Sequence, residues 1–338
     1  MGICISVGYS DIHEAPDEVH ENVIIFEANK VANGTTRRLG SVYSKQGSKG
    51  LNQDAATLYQ GYGMEGGVFC GVFDGHGRNG HVVSKMVNGR LSSLLLSQKN
   101  ALANGNGIQN HVNTEDDHSA TNQNFQNWKE AIVSGFKVMD KEVKLQDNLD
   151  CFSSGTTAVV VLKQGEDLVI ANLGDSRAIL GTICDGEISA IQLTEDLKPG
   201  LPTEADRIRR CNGRVFALKE PHIQRVWLPN EDSPGLAMSR AFGDFMLKDH
   251  GIIAVPDISY HRLTSNNQFI VLASDGVWDV LSNNEVASIV WTAYSEEAAA
   301  KAVVEAATAE WKKKYPSSKV DDCTAVCLFL HETNSATS

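Results

Sequence analysis

The sequence has few of the features that send a chain into a membrane or out of the cell. No run reaches the roughly 18 consecutive apolar residues of a bilayer span, and no secretory h-region follows the initiating methionine. Its seven cysteines, at 4, 70, 151, 184, 211, 323 and 327, are odd in number and form no CxxC pair, so they read as thiols of a reducing, intracellular compartment. Positive charge is scarce as well: 30 Lys and Arg face 42 Asp and Glu, a net charge of −12. Such a surface lacks the diffuse field that gathers a polyanion, so nucleic-acid binding would need a local basic stripe. The nearest candidate, Lys312 to Lys314 before Pro316, fits the last turn of a helix, where cations complement the dipole. No internal repeat of about 20 to 50 residues is visible.

What the sequence does contain is a large globular pattern. Of 338 residues, 42% are apolar, enough for a sizeable core in one large domain or two. Two segments stand apart. Residues 1–37 read as an exposed acidic arm, with Asp11, Glu14, Asp17, Glu18, Glu21 and Glu27 against Lys30. Residues 98–125, dense in Asn, Gly, Gln, Asp and Ser, read as a flexible insertion loop, because so polar a segment buries too little to offset ordering entropy. The body spans 38–333, and 334–338 form a tail.

Within the body, β-branched apolar runs bounded by Gly and Asp predict strands over Val68–Phe73, Thr157–Leu162, Leu168–Leu173, Arg177–Leu180, Phe269–Ser274 and Thr324–Leu330. Three- and four-residue steps predict helices through Val82, Val83, Met86, Val87, Leu91, Leu94 and Leu95, and through Trp128, Ile132, Phe136, Met139 and Val143. A third helix is expected from an N-cap at Ser295 to Lys314. Strands and helices mix without the alternation of a parallel barrel, which predicts an α+β domain of antiparallel sheets covered by a few helices.

At three places aspartate follows or precedes an apolar strand directly: Asp74 in the turn Asp74-Gly75-His76-Gly77, Asp275 in Ser274-Asp275-Gly276, and Asp321-Asp322 before Thr324. Strand ends are rigid, a following glycine lets a carbonyl approach the same ion, and oxygen donors select hard cations such as Mg2+ and Mn2+. Each Asp-Gly alone is chiefly a turn dipeptide. Their order carries more. Lys49-Gly50-Leu51-Asn52-Gln53-Asp54 is followed by FCGVFDGHG at 69–77, SGTTA at 154–158, NLGDSRA at 172–178, LTEDLKP at 193–199, LAMSRAFGD at 236–244, LASDGVWD at 272–279 and DDCTAV at 321–326.

That series resembles the protein phosphatase 2C family of metal-dependent Ser/Thr phosphatases, especially its plant members, over residues 38–331. The resemblance implies an αββα four-layer sandwich of two mainly antiparallel sheets flanked by helices. It implies two Mn2+ or Mg2+ ions on Asp74, the carbonyl of Gly75, Asp275 and Asp321, a role for Asp54 and Gln53 around metal-bound water, and a third, weakly held ion near Asp175. Two cations sharing a water lower its pKa and present hydroxide to phosphorus without a protein nucleophile. His76 matches the general acid for the leaving oxygen; its alternative is a turn histidine bonded to backbone. Asp175 and Asp244 fill other acidic motif positions, or cap turns, and Ser154-Gly155 and Ser239-Arg240 read as scaffold.

Two departures bear on activity. Lys49 stands where many members have Arg, and Gln53 where many have Glu; a mobile ammonium holds phosphate less rigidly than a guanidinium fork. Lys49 as a solvated loop residue is the plain alternative. Leu197 replaces a common His. The expected activity is hydrolysis of phosphoserine and phosphothreonine in phosphoprotein substrates by a monomer. A phosphoprotein-binding pseudophosphatase, weakened by Lys49 and Gln53, and a small-molecule phosphatase are the rivals. Gly2, Cys4 and Ser6 fit an acylation pattern. One acyl chain beside an acidic arm binds membranes marginally, so peripheral attachment at the plasma membrane would depend on Cys4; otherwise the chain belongs in cytoplasm or nucleus.

Overall fold

The computed structural model describes residues 23–26, 39–105, 117–146, 149–218 and 223–330. In chain order the elements are β1 (Val23–Phe26), β2 (Gly40–Lys45), β3 (Asp54–Gln60), β4 (Val68–His76), α1 (Gly80–Gly105), α2 (Asp117–Lys144), β5 (Gly155–Thr156), β6 (Ala158–Gln164), β7 (Asp167–Leu173), β8 (Arg177–Cys184) and β9 (Glu187–Gln192). They continue with α3 (Pro202–Arg210), β10 (Arg214–Phe216), β11 (Arg225–Trp227), β12 (Pro234–Leu236), β13 (Phe242–Gly243), α4 (Phe245–Lys248), β14 (Asp257–Arg262), β15 (Asn267–Ala273), α5 (Asp275–Trp278), α6 (Asn283–Trp291), α7 (Ala299–Lys314) and β16 (Cys323–Phe329).

Two sheets form the middle layers. One runs β1-β3-β4-β6-β7-β14, with β5 and β13 attached beside β4; the other runs β2-β16-β15-β8-β9. Every pair is antiparallel except β1 with β3. Period-two alternation explains why the strands look apolar throughout. On β4, Phe69 and Phe73 face α1 and α2, while Val68, Cys70 and Val72 face the other sheet. On β15, Phe269, Val271 and Ala273 pack on α6 and α7, while Ile270 and Leu272 meet β4 in the slab between the sheets. Both faces are buried, so the fold is the expected four-layer αββα sandwich.

The structure revises several local readings. Most of 98–125 is helix: α1 runs on to Gly105 and α2 starts at Asp117, leaving only 106–116 outside the described residues. Leu102 on α1 and Phe125 on α2 pack on the core, and one such contact on each suffices to extend helices whose remaining turns are already packed. The arm contains a strand, β1, which adds to the sheet edge with Val23 opposite Ala56 and Phe26 opposite Tyr59. Four apolar residues at an open edge gain ladder hydrogen bonds whatever the charge around them. Ser295 accepts the Ala298 N–H (3.3 Å) one turn early, and α7 begins at Ala299. The basic run does end α7, with Lys314 Nζ donating to the Val280 carbonyl at 2.6 Å.

A small three-stranded sheet, β10-β11-β12, lies outside the sandwich, and no sequence signal anticipated it. It is packed with α3 and α4 through Ile208, Val226, Leu236, Met238 and Leu247. Among the described residues no helix is long and apolar enough to cross a membrane.

Candidate active site

The strand alternation that fills the slab between the sheets also dictates what caps it. Continuing the inward positions past Val72 on β4 gives Asp74; past Ala56 on β3, Asp54; past Leu272 on β15, Ser274; and before Val326 on β16, Thr324 and Asp322. Strand ends therefore converge in a polar cap over an apolar slab. Asp54 and Asp74 are direct cross-strand partners. Ser274 Oγ donates to Asp54 Oδ2 (2.7 Å), and Thr324 N–H donates to Ser274 Oγ (3.1 Å). Asp275 opens α5 immediately after Ser274, and Asp321 precedes β16.

Asp74 is pinned from the rear. Its N–H donates to Thr157 Oγ1 (3.1 Å), and its carbonyl accepts from Thr156 Oγ1 (3.0 Å) and Thr157 N–H (2.9 Å). Gly75 has to be glycine, because a Cβ would lie 2.5 Å from both the Gln53 and the Gly80 carbonyl oxygens. Gln53 braces the same turn, with Nε2 donating to the Gly77 carbonyl at 2.9 Å and Oε1 buried with no partner among the described residues.

Electrostatics mark the cluster as a place for cations. Burial, then the charges of Asp275, Asp54 and Asp321, push Asp74 well above the carboxylate range; burial, then Asp175 and Asp321, do the same to Asp275. Burial raises Asp54 to about 7 against the help of Ser274, and Asp175 to about 6 against the help of Lys198. Asp175 is buried, and its Oδ1 has no partner among the described residues. As the side chains stand, no three Asp, Glu, His or Cys among the described residues are grouped tightly enough to hold an ion. Lys49 is ion-paired with Asp321, and one donor of the expected set, the Gly75 carbonyl, belongs to the backbone. The chemistry of the set nonetheless fits hard divalent cations: all donors are oxygen, they are mutually repulsive and withdrawn from water, and a cation among them would reverse each shift.

The cap brings together Asp54, Asp74, Gly75, Asp275, Asp321, Gln53 and Lys49, with His76 at the end of β4. Gly2 and Cys4 lie outside the described residues. Lys49 is not a merely solvated lysine: burial lowers its pKa, but Asp321, Asp275 and Asp74 outweigh burial and raise it. Burial would likewise lower His76, yet Asp244 outweighs it and raises it. Ser239 and Arg240 are scaffold, both donating to the buried Glu204. Leu197 is buried, with its N–H on the Gly174 carbonyl (2.9 Å) beneath Asp175.

Three residues that the sequence reading named within motifs have contacts it did not foresee. Asp322 accepts the N–H groups of Gly47 (2.7 Å) and Gln53 (2.9 Å), and so ties down the loop carrying Lys49. Ser274 orients Asp54, and Asp244 bonds His76 at 2.6 Å. For the first two the signal was available, since counting back by twos from Val326 and on by twos from Leu272 reaches them.

Comparisons with known proteins agree with this geometry. The sequence model of the family described as Protein phosphatase 2C matches residues 65–314. The chain is 54% identical to the probable protein phosphatase 2C 72 of Arabidopsis thaliana, covering 98% of each. It is 48% identical to the probable protein phosphatase 2C 12 of Oryza sativa subsp. japonica, covering 98% of this chain and 92% of that one. The crystal structure of serine-threonine phosphatase 2C from Toxoplasma gondii superposes with a TM-score of 0.72 at 26% identity, over 86% of this chain and 94% of that one. With strand ends that assemble the motif carboxylates in one cap, and relatives matched over nearly the whole length, the chain belongs to the protein phosphatase 2C family.

Proposed function

We propose that the chain hydrolyses phosphoserine and phosphothreonine in proteins at a binuclear Mn2+ or Mg2+ centre. The observation that carries this reading is the convergence of Asp74, Asp275 and Asp321, from three strand ends, beside Lys49 and His76. Asp74, the carbonyl of Gly75, Asp275 and Asp321 would hold the two ions, and Asp175 a third, weaker one. Bound there, the ions would lower the pKa of water enough to supply hydroxide near neutral pH.

The protein's own groups supply the rest. Asp54, oriented by Ser274 and withdrawn from solvent, accepts a hydrogen bond from water and fixes its direction. Lys49 turns its ammonium toward the phosphate oxygens as a mobile point charge. His76 holds a proton near neutral pH and gives it to the seryl or threonyl oxygen as that oxygen departs. No side chain need form a covalent intermediate.

The test is a phosphothreonyl-peptide assay across a Mn2+ titration, for the wild type and Asp74→Ala. Turnover should require the metal and vanish in the variant. Full activity in chelator or in Asp74→Ala would sink the proposal, and sugar phosphates turned over faster than phosphopeptides would replace its substrate class.

A further inference from the structure

His76 ends β4, and Asp244 lies between β13 and α4, 168 positions later, yet His76 Nε2 and Asp244 Oδ2 are 2.6 Å apart. The carboxylate is almost wholly buried, with its side chain 2% exposed. Its surroundings are built to keep it there. Asp244 has a left-handed backbone, φ +50°, a conformation strained for a residue with a Cβ. Its N–H donates to the Ser154 carbonyl (3.0 Å), and the preceding Gly243 N–H donates to Asp140 Oδ1 (3.0 Å). Asp140 Oδ1 also accepts from Lys248 Nζ at 3.1 Å.

The other side of the pair is shaped by Gly155. In β5 this residue pairs with His76 on one side and Gly243 on the other, so the short ribbon β4-β5-β13 fixes the imidazole relative to the carboxylate. A Cβ at Gly155 would sit 2.4 Å from Asp244 Oδ2 and 2.9 Å from His76 Nε2. A strained backbone, an obligatory glycine and a buried carboxylate all serve one hydrogen bond. That bond occupies Nε2, while Nδ1 is buried and has no partner among the described residues.

We propose that Asp244 is a positioning residue for His76: its carboxylate accepts the Nε2–H, sets the plane of the ring, and leaves Nδ1 as the nitrogen that serves the leaving oxygen. The inference rests on the phosphatase reading above. As the P–O bond breaks, the seryl or threonyl oxygen takes the Nδ1 proton and leaves as the alcohol. The attacking water puts its hydroxyl on phosphorus and gives up one proton, which replaces the one lost from Nδ1 once the alcohol has left. Asp244 exchanges no proton; it stabilises the protonated ring and holds the neutral one in the Nε2–H form.

The experiment uses the full chain with saturating Mn2+ and compares a phosphothreonyl peptide with p-nitrophenyl phosphate, whose leaving group departs without a proton. Asp244→Asn keeps size and tolerates the left-handed backbone, but its amide can turn an NH2 toward Nε2 and favour the wrong tautomer. Expected are a fall in kcat on the peptide of at least about tenfold, KM within about twofold, and a fall on p-nitrophenyl phosphate below about threefold. Asp244→Asn combined with His76→Ala should be no slower than His76→Ala alone. Equal losses on both substrates, or penalties that multiply in the double variant, would overturn the assignment. Nitrogen-15 spectra of histidine-labelled protein decide the orientation independently of turnover: the neutral His76 ring should carry its proton on Nε2 in the wild type, and a proton on Nδ1 would overturn it. Absence of Mn2+-dependent turnover in the wild type on either substrate would remove the phosphatase reading, with the labelled ring still deciding the orientation.

Discussion

Lys49 and Asp321, 272 positions apart in the chain, form an ion pair at the rim of the polar cap. The neighbour of each partner is part of the same joint, because Asp322 accepts the N–H groups of Gly47 and Gln53 on either side of Lys49. The reach of the ammonium is thus set by the strand that supplies an expected metal ligand, and Lys49 stands between a carboxylate it already holds and a phosphate it would have to bind.

Lys49→Ala should therefore raise KM for a phosphopeptide by about tenfold or more, the usual consequence of losing one charge-assisted hydrogen bond. Lys49→Arg should change kcat/KM by no more than about threefold if the native site is already competent. A rise of about a hundredfold in the Arg variant would identify the native chain as a weakened binder instead. Steady-state kinetics on one peptide separates these outcomes.

Metal should reverse the pH dependence of stability. Asp54 and Asp175 titrate near 7 and 6 in the folded chain instead of 3.8, so between about pH 4 and 7 the folded state binds more protons than the unfolded one. The stability of the chelated protein must then fall as pH rises through that window; His76, also raised, acts in the same direction. Glu204, lowered to about 2, acts only below its ordinary 4.5. Urea midpoints in chelator should be lower at about pH 8 than at about pH 5.5, and saturating Mn2+ should shrink or invert that difference. A midpoint in chelator that climbs toward pH 8 would contradict the electrostatic account.

Glu204 is the clearest structural liability outside the site. Its buried carboxylate accepts from Arg207 (2.7 and 2.7 Å), Arg240 (3.0 and 2.7 Å) and Ser239 Oγ (2.6 Å). Glu204→Ala strands two half-buried guanidinium groups and should cost about 3–5 kcal/mol in urea denaturation. Faster amide exchange should concentrate in α3 and the β10-β11-β12 sheet. A loss below about 1 kcal/mol would mean that the guanidinium groups find water instead.

For the N-terminal segment, we propose that Gly2 and Cys4 are both acylated, and that Cys4 bears most of the membrane affinity because the acidic residues that follow are repelled by an anionic leaflet. Fractionation should place the wild type with membranes, and Gly2→Ala and Cys4→Ser in the soluble fraction. Identical soluble behaviour of all three would remove the anchor.

Much of this architecture was legible before any coordinates. Runs such as Val68–Phe73 and Phe269–Ala273 read as buried strands because both of their faces meet apolar layers, and Asp74 and Asp275 were conspicuous as carboxylates at the ends of such runs. The helices were found but cut short. Leu102 and Phe125 are too sparse among Asn, Gln and Ser to register as a period, although packing needs only those few contacts. The strand Val23–Phe26 was obscured by the acidic residues around it, because composition averages over a window while edge pairing needs four residues.

Strand periodicity, the identity of the carboxylates and their location at strand ends are local properties of the chain, since burial on two faces and a chain reversal are both written within a few neighbouring residues. Which of those ends meet is a property of the assembled sheets. Asp54 finds Ser274 across 220 positions and His76 finds Asp244 across 168. Such contacts depend on strand order and on the register in which Gly155 lies between β4 and β13. Neither is encoded in any local window, because hydrogen-bonded ladders are interchangeable between strands until the whole core selects one packing.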